Sequence, residues 1–164
     1  MVNSARAEFT GDNRWLVTGT GEEYRFWQVG SWKPAHTVRR SGSVGVYGMI
    51  GCSFDGRMIA VTDSRDSVRL LEPSTGRELA TLEAAYPVMP TWLRFSPDGG
   101  RMAAVSTQHV IHLWDLRSIR QQLAAMKLDW DLPPLPPPAT NQFQEPLTVI
   151  VLGNTNQPGT ERKP

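Results

Sequence analysis

Three tight turns set 43 residues apart constrain this chain more than any other feature. "GDNRWLVTGT" begins at Gly11, "FDGRMIAVTD" at Phe54 and "PDGGRMAAVST" at Pro97. The turn aspartates are Asp12, Asp55 and Asp98, and Asn13, Gly56 and Gly99 follow them. Asn and Gly tolerate the positive φ that a tight hairpin needs. Each turn leads into a short apolar run, at Trp15–Thr20, Met58–Asp63 and Met102–Thr107, that reads as a strand. A second strand follows in each unit, "EYRFWQV", "SVRLLEP" and "VIHLWDL". These end in equivalent pairs: Trp27-Gln28, Leu71-Glu72 and Trp114-Asp115. Another strand precedes each turn, at Ala7–Thr10, Met49–Ser53 and Thr91–Ser96. "ELATLE" at 78–83 is a fourth strand in the second unit, and "KPAHTVRR" stands in that place in the first. Each unit is therefore about four short antiparallel strands.

A period of 40–45 residues with a Trp-Asp ending resembles the WD40 repeat family, over about residues 6–117. "FSPDGGR" followed by "IHLWDL" carries the resemblance most fully. It implies an all-β fold: three four-stranded antiparallel blades of a partial β-propeller, at about 6–40, 46–84 and 89–117. Asp12, Asp55, Asp98, Trp27, Leu71, Trp114 and Asp115 then become structural repeat positions. The chain departs from the family in having no Gly-His pair, Leu71-Glu72 in place of Trp-Asp, and Cys52 where Phe9 and Phe95 sit. Apolar packing between sheets must carry more of the stability. Closed propellers typically have 4–8 blades. Three blades leave two unpartnered faces. They imply the C-terminal part of a larger propeller with its other blades in cis, a second copy in trans, or an open arc.

The pattern changes after the third unit. "SIRQQLAAMKL" places Ile119, Leu123 and Met126 at helical spacing, and Ser118 with Gln121 forms a capping-box pattern. A short amphipathic capping helix is expected at 118–128. "DWDLPPLPPPA" opens a proline-rich linker at 129–145, read as a polyproline II spacer. "PLTVIVLG" at 146–153 is a further strand candidate, and 154–164 has the composition of a disordered tail. "LWDLRSIRQQLAAMKLDWDLPPLPPP" resembles the end of WD40 arrays in bacterial multidomain proteins, many with an upstream serine/threonine kinase domain. The resemblance implies a non-catalytic interaction scaffold with a protein or peptide partner. The alternatives are a regulatory segment severed from such a kinase, or a non-functional gene fragment.

Charge and motifs narrow the function classes. Seventeen Lys and Arg against sixteen Asp and Glu give a net charge of +1. That balance argues against nucleic acid and membrane surfaces as partners. The single Cys52 allows no intrachain disulfide, and a cytoplasmic location is the expectation. No catalytic residue, cofactor or metal site is expected. His109 and His112 lie three apart on a strand and so point to opposite faces. "GTGEE" lacks the third glycine of a nucleotide loop, and no "GK[ST]", "HRD" or "DFG" occurs. Trp92, near a propeller rim, is a candidate partner contact, as are Arg25 and Arg69.

Overall fold

The computed structural model describes residues 6–41, 48–84, 90–106 and 110–138. The first sheet holds β1 (Arg6–Phe9), β2 (Trp15–Gly19), β3 (Glu23–Gln28) and β4 (Pro34–Arg39) in chain order. The second holds β5 (Ile50–Cys52), β6 (Ile59–Thr62), β7 (Ser67–Leu71) and β8 (Glu78–Glu83), also in chain order. The third holds β9 (Pro90–Phe95), β10 (Arg101–Ser106) and β11 (Ile111–Asp115). Every pairing is antiparallel. Among the described residues the fold is all-β, as the repeat implies, with one helix after the third sheet. The third sheet, expected to have four strands, has three among the described residues, because the chain turns into a helix after β11. The strand candidate at 146–153 and the tail at 154–164 lie outside the described residues.

Each first hairpin is built by the same hydrogen bonds. The hydroxyls of Thr10, Ser53 and Ser96 donate to Oδ1 of Asp12, Asp55 and Asp98 at 2.6, 2.7 and 2.5 Å. The same oxygens accept the N–H two residues on, from Arg14, Arg57 and Gly100, at 3.1, 3.1 and 3.0 Å. Asn13, Gly56 and Gly99 take φ of 57°, 70° and 66°. Short polar side chains thus satisfy the turn backbone locally, and the turn fixes the register of the strands it joins.

The sheets stack face to face. Val17, Tyr24 and Phe26 of the first pack on Ile59, Val61 and Leu71 of the second. The opposite face of the second, with Met58, Ala60, Val68 and Leu70, packs on Leu93, Phe95, Met102 and Ala104 of the third. Alternate residues of β6 and β7 therefore serve two cores, so these strands read as near-continuous apolar runs. Each fully buried side chain of this size contributes about 1.5–3 kcal/mol.

Helix α1 runs Leu116–Ala125 rather than 118–128, and its N-cap is Asp115, not Ser118. The Asp115 carboxylate accepts the Ser118 N–H at 3.0 Å. The blade-ending Asp thus serves the helix and draws its start back to Leu116, which is fully buried. Ile119 and Leu123 pack on the core, but Met126 is exposed at the C-cap.

The stretch expected as a spacer is docked as far as Leu135. Trp130 is buried, and Leu132 and Leu135 pack on the same core at the three-residue spacing of one polyproline II turn. Arg120 is the anchor. Its guanidinium donates to both Asp129 carboxylate oxygens, and to the carbonyls of Leu132 and Pro133 at 2.8 Å each.

Candidate interaction surfaces

The first strands of the three units, β1, β5 and β9, lie against one another and form a shared wall. Gly51 permits this: a Cβ there would meet the Leu93 carbonyl oxygen at 2.7 Å. A concavity of about 350 Å³ opens along the wall, with Arg6, Glu8, Thr91, Trp92 and Arg94 among its lining residues. Cationic, anionic and aromatic groups thus meet in one depression. Cys52 lines it too, but burial pushes its thiol up to about 12, with the Glu8 and Asp12 charges adding to the effect. That shift favours the protonated thiol at neutral pH.

The turn aspartates are not brought together; each serves its own hairpin. Asp98 has a further partner, the Arg117 guanidinium at 2.8 Å. The Ser96 hydroxyl, the Gly100 N–H and Arg117 together hold its carboxyl well below the usual range. Leu71 is fully buried between the first two sheets. Trp114 is half-buried against the second core, with its ring 5.8 Å from that of His112. Trp27 lies on the outer face of the first sheet, where its indole N–H donates to the Thr18 hydroxyl at 3.1 Å.

The three candidate contact residues have different fates. Trp92 is 63% exposed, at the mouth of the concavity and on the outer face of the third sheet. Arg25 is exposed but paired with Glu23 at 2.5 Å. Arg69 is drawn inward. It pairs with Asp63 at 2.6 Å and donates to the Arg39 carbonyl, tying the second sheet to the end of the first. It is a brace between blades, because the end of the neighbouring sheet supplies an acceptor within reach. His36 lies between Trp15 and Phe26, and burial lowers its pKa. His109 lies outside the described residues. Among the described residues, no group of three or more His, Cys, Asp or Glu is placed to hold a metal ion. None of their helices is long and apolar enough to cross a membrane.

Two features were not legible in the sequence. Tyr24 is buried, and its hydroxyl donates to the Thr62 carbonyl at 2.6 Å, so it bridges the first two sheets. Burial pushes its phenol up to about 12. Arg120 reads as an ordinary helix-surface cation until its acceptors, 9 to 13 residues downstream, fold back onto it.

The outer face of the third sheet is the larger anomaly. Ile111 and Leu113 are 67% and 64% exposed. By the repeat they are equivalent to Tyr24 and Phe26, and to Val68 and Leu70, all covered by the next sheet along. Trp92 and Val105 extend the same face. At the other end Phe9 is half exposed, whereas its equivalent Phe95 is buried.

No protein-family model matches the chain, and no curated protein is similar to it. Solved structures are similar. "Structure of U3-55K" superposes with a TM-score of 0.61 at 16% identity, covering 72% of this chain and 38% of that one. "Crystal structure of RRP9 WD40 repeats" gives 0.62 at 16% identity, covering 72% and 37%. This chain thus spans less than two-fifths of the length of either. At such identity the likeness speaks to architecture alone, and the architecture of this chain is that of a run of β-propeller blades, similar to those of these WD40-repeat structures.

Proposed function

We propose that this chain is a non-catalytic protein-interaction scaffold that works as part of a larger propeller. One observation carries the proposal. Ile111 and Leu113 lie bare at positions that are buried under a following blade in both earlier units. An exposed apolar sheet face rimmed by Arg94, Arg101 and Asp115 has the character of a docking surface. The partner-binding surface is the concavity along β1, β5 and β9, where Trp92 and Arg94 offer an anchor pair suited to a peptide or loop. A place beside a kinase domain in a longer polypeptide is the finer form of this proposal, supported by the resemblance of the 113–138 segment.

Light scattering on purified 1–164 over a concentration series tests it. The expected result is a mass that rises with concentration. The double variant Ile111→Lys, Leu113→Lys should hold the mass at one chain and leave the melting temperature within a few degrees. A wild type that stays monomeric throughout, matched by the double variant, overturns the docking role of this face. A dimer of fixed mass, abolished by the same variant, assigns the face to a second copy and a six-blade ring.

A further inference from the structure

The strap that follows α1 carries a row of exposed prolines. Pro133, Pro134, Pro136, Pro137 and Pro138 are open to solvent, whereas Leu132 and Leu135 are half-buried on the core. A proline ring fixes its own φ near the polyproline II value and pushes the residue before it out of the helical region. From Leu132 to Pro138 every residue is a proline, precedes one, or both. The segment is thus held in an extended left-handed helix of three residues per turn. That period sorts the side chains onto three edges. Leu132 and Leu135 make the edge that faces the core. Pro133 with Pro136, and Pro134 with Pro137, make the other two.

Docking holds these two edges outward. Leu135 sits over the β9–β10 turn, its Cδ2 3.5 Å from where a Cβ on Gly99 would stand. Arg120 occupies the Leu132 and Pro133 carbonyls at 2.8 Å each. Among the described residues, no donor reaches the carbonyls of Pro134, Pro136 or Pro137. Beside Pro134 the strap and α1 enclose a groove of about 390 Å³, lined also by Arg117, Gln121 and Ala124. None of these residues lines the concavity along β1, β5 and β9.

We propose that the double proline edge is a docking ridge for a protein partner with an aromatic-lined groove of the kind that reads polyproline II helices. The chemistry selects this occupant. Prolines offer apolar rings and carbonyl acceptors but no N–H. Their complement is a surface of aromatic faces whose Tyr hydroxyls and Trp N–H groups donate. The spacing selects it as well. Rings one turn apart on an edge stand about 9 Å from each other, as successive slots of such a groove require. A groove touches only the side of the helix turned toward it, so the edge spent on the core is the one it does not need. A strap already ordered by Arg120 and the leucines also binds without the full entropy cost of ordering a free chain.

Titration of the full chain, to millimolar concentration, into isotope-labelled SH3 and WW domains tests the ridge. Amide shifts are expected in at least one of the two, confined to its aromatic groove. Pro133→Ala with Pro136→Ala, and separately Pro134→Ala with Pro137→Ala, should each weaken that binding about tenfold and leave the melting temperature unchanged. Trp92→Ala, in the concavity, should leave the binding as it is. Leu132→Ala with Leu135→Ala separates a presented ridge from a hidden one. Freed from the core, the strap must be ordered on binding and should bind about fivefold more weakly. No shifts in either domain overturn the proposal, as do shifts outside the aromatic groove or proline variants that bind like wild type. Binding lost with Trp92→Ala overturns it too, and moves the contact to the concavity. Unchanged or tighter binding after the leucine change also overturns it, because docking on the core would then contribute nothing to recognition.

Discussion

At the scale of single residues, the Ser/Thr-x-Asp turn is the unit from which the molecule is written. Its three copies make the same bonds to within 0.2 Å, and a polar side chain two residues from its acceptor is the kind of local fact a sequence displays. Asp98 adds a partner from the helix, Arg117, to the pattern, and this makes the turn pH-sensitive. Its folded pKa lies below the ordinary carboxylate value. The stability it supplies is therefore fully present above about pH 4, the unfolded carboxylate range, and is lost as pH falls through the folded pKa. Urea midpoints of wild type and Asp98→Asn should differ at pH 7 and converge toward pH 2. A constant gap across that range would show that the carboxylate charge contributes nothing. His36 acts in the same direction at higher pH. Partly buried between two rings, it resists protonation, so the folded state loses stability as pH drops below the unfolded imidazole value of about 6.5. His36→Phe should flatten the stability profile between pH 7 and 5, and an unaltered slope would remove His36 as its source.

Elements depend on contacts between residues far apart in sequence, and legibility falls accordingly. The strands were readable because their apolar alternation and turn chemistry are local. The start of α1 was misplaced by two residues because Asp115 belongs to two patterns at once, the blade ending and the helix cap. The proline-rich stretch read as a spacer because nothing within it shows that Arg120 will supply donors to its carbonyls. Composition registers stiffness; it does not register a buried guanidinium one element upstream. That anchor can be measured. Arg120→Ala strands the Asp129 carboxylate and frees two carbonyls, a loss of about 2–4 kcal/mol on the scale of charge-assisted hydrogen bonds. Chemical denaturation should show that loss, together with faster proteolysis within 129–138. A variant as stable and as resistant as wild type would mean that Leu132 and Leu135 dock the strap unaided.

The whole molecule behaves as a short stack, in which each sheet is stabilised by its neighbours and not by a common centre. The second sheet is covered on both faces. The first and third are each covered on one, and their outer faces carry Phe9 and Trp27 at one end, Trp92, Ile111 and Leu113 at the other. The two interfaces are unequal. The one between the second and third sheets also gathers Leu116, Trp130 and the strap leucines, whereas the one between the first and second rests on a smaller apolar cluster and the buried Tyr24 hydroxyl. Opening should therefore begin at the first sheet. Native-state hydrogen exchange should rank amides of β6 and β7 as the slowest, those of β9 and β10 next, and those of β1 and β2 as the fastest. Tyr24→Phe removes the bond to Thr62 and should speed exchange in the first sheet about tenfold, the effect of losing roughly 1.4 kcal/mol, while leaving β10 unchanged. Leu70→Ala, cut into the other interface, should cost about 2–5 kcal/mol and speed exchange in the second and third sheets together. Uniform protection across all three sheets, or equal responses to the two substitutions, would mean that the blades open as one cooperative unit and that sheet-by-sheet coupling does not govern this molecule.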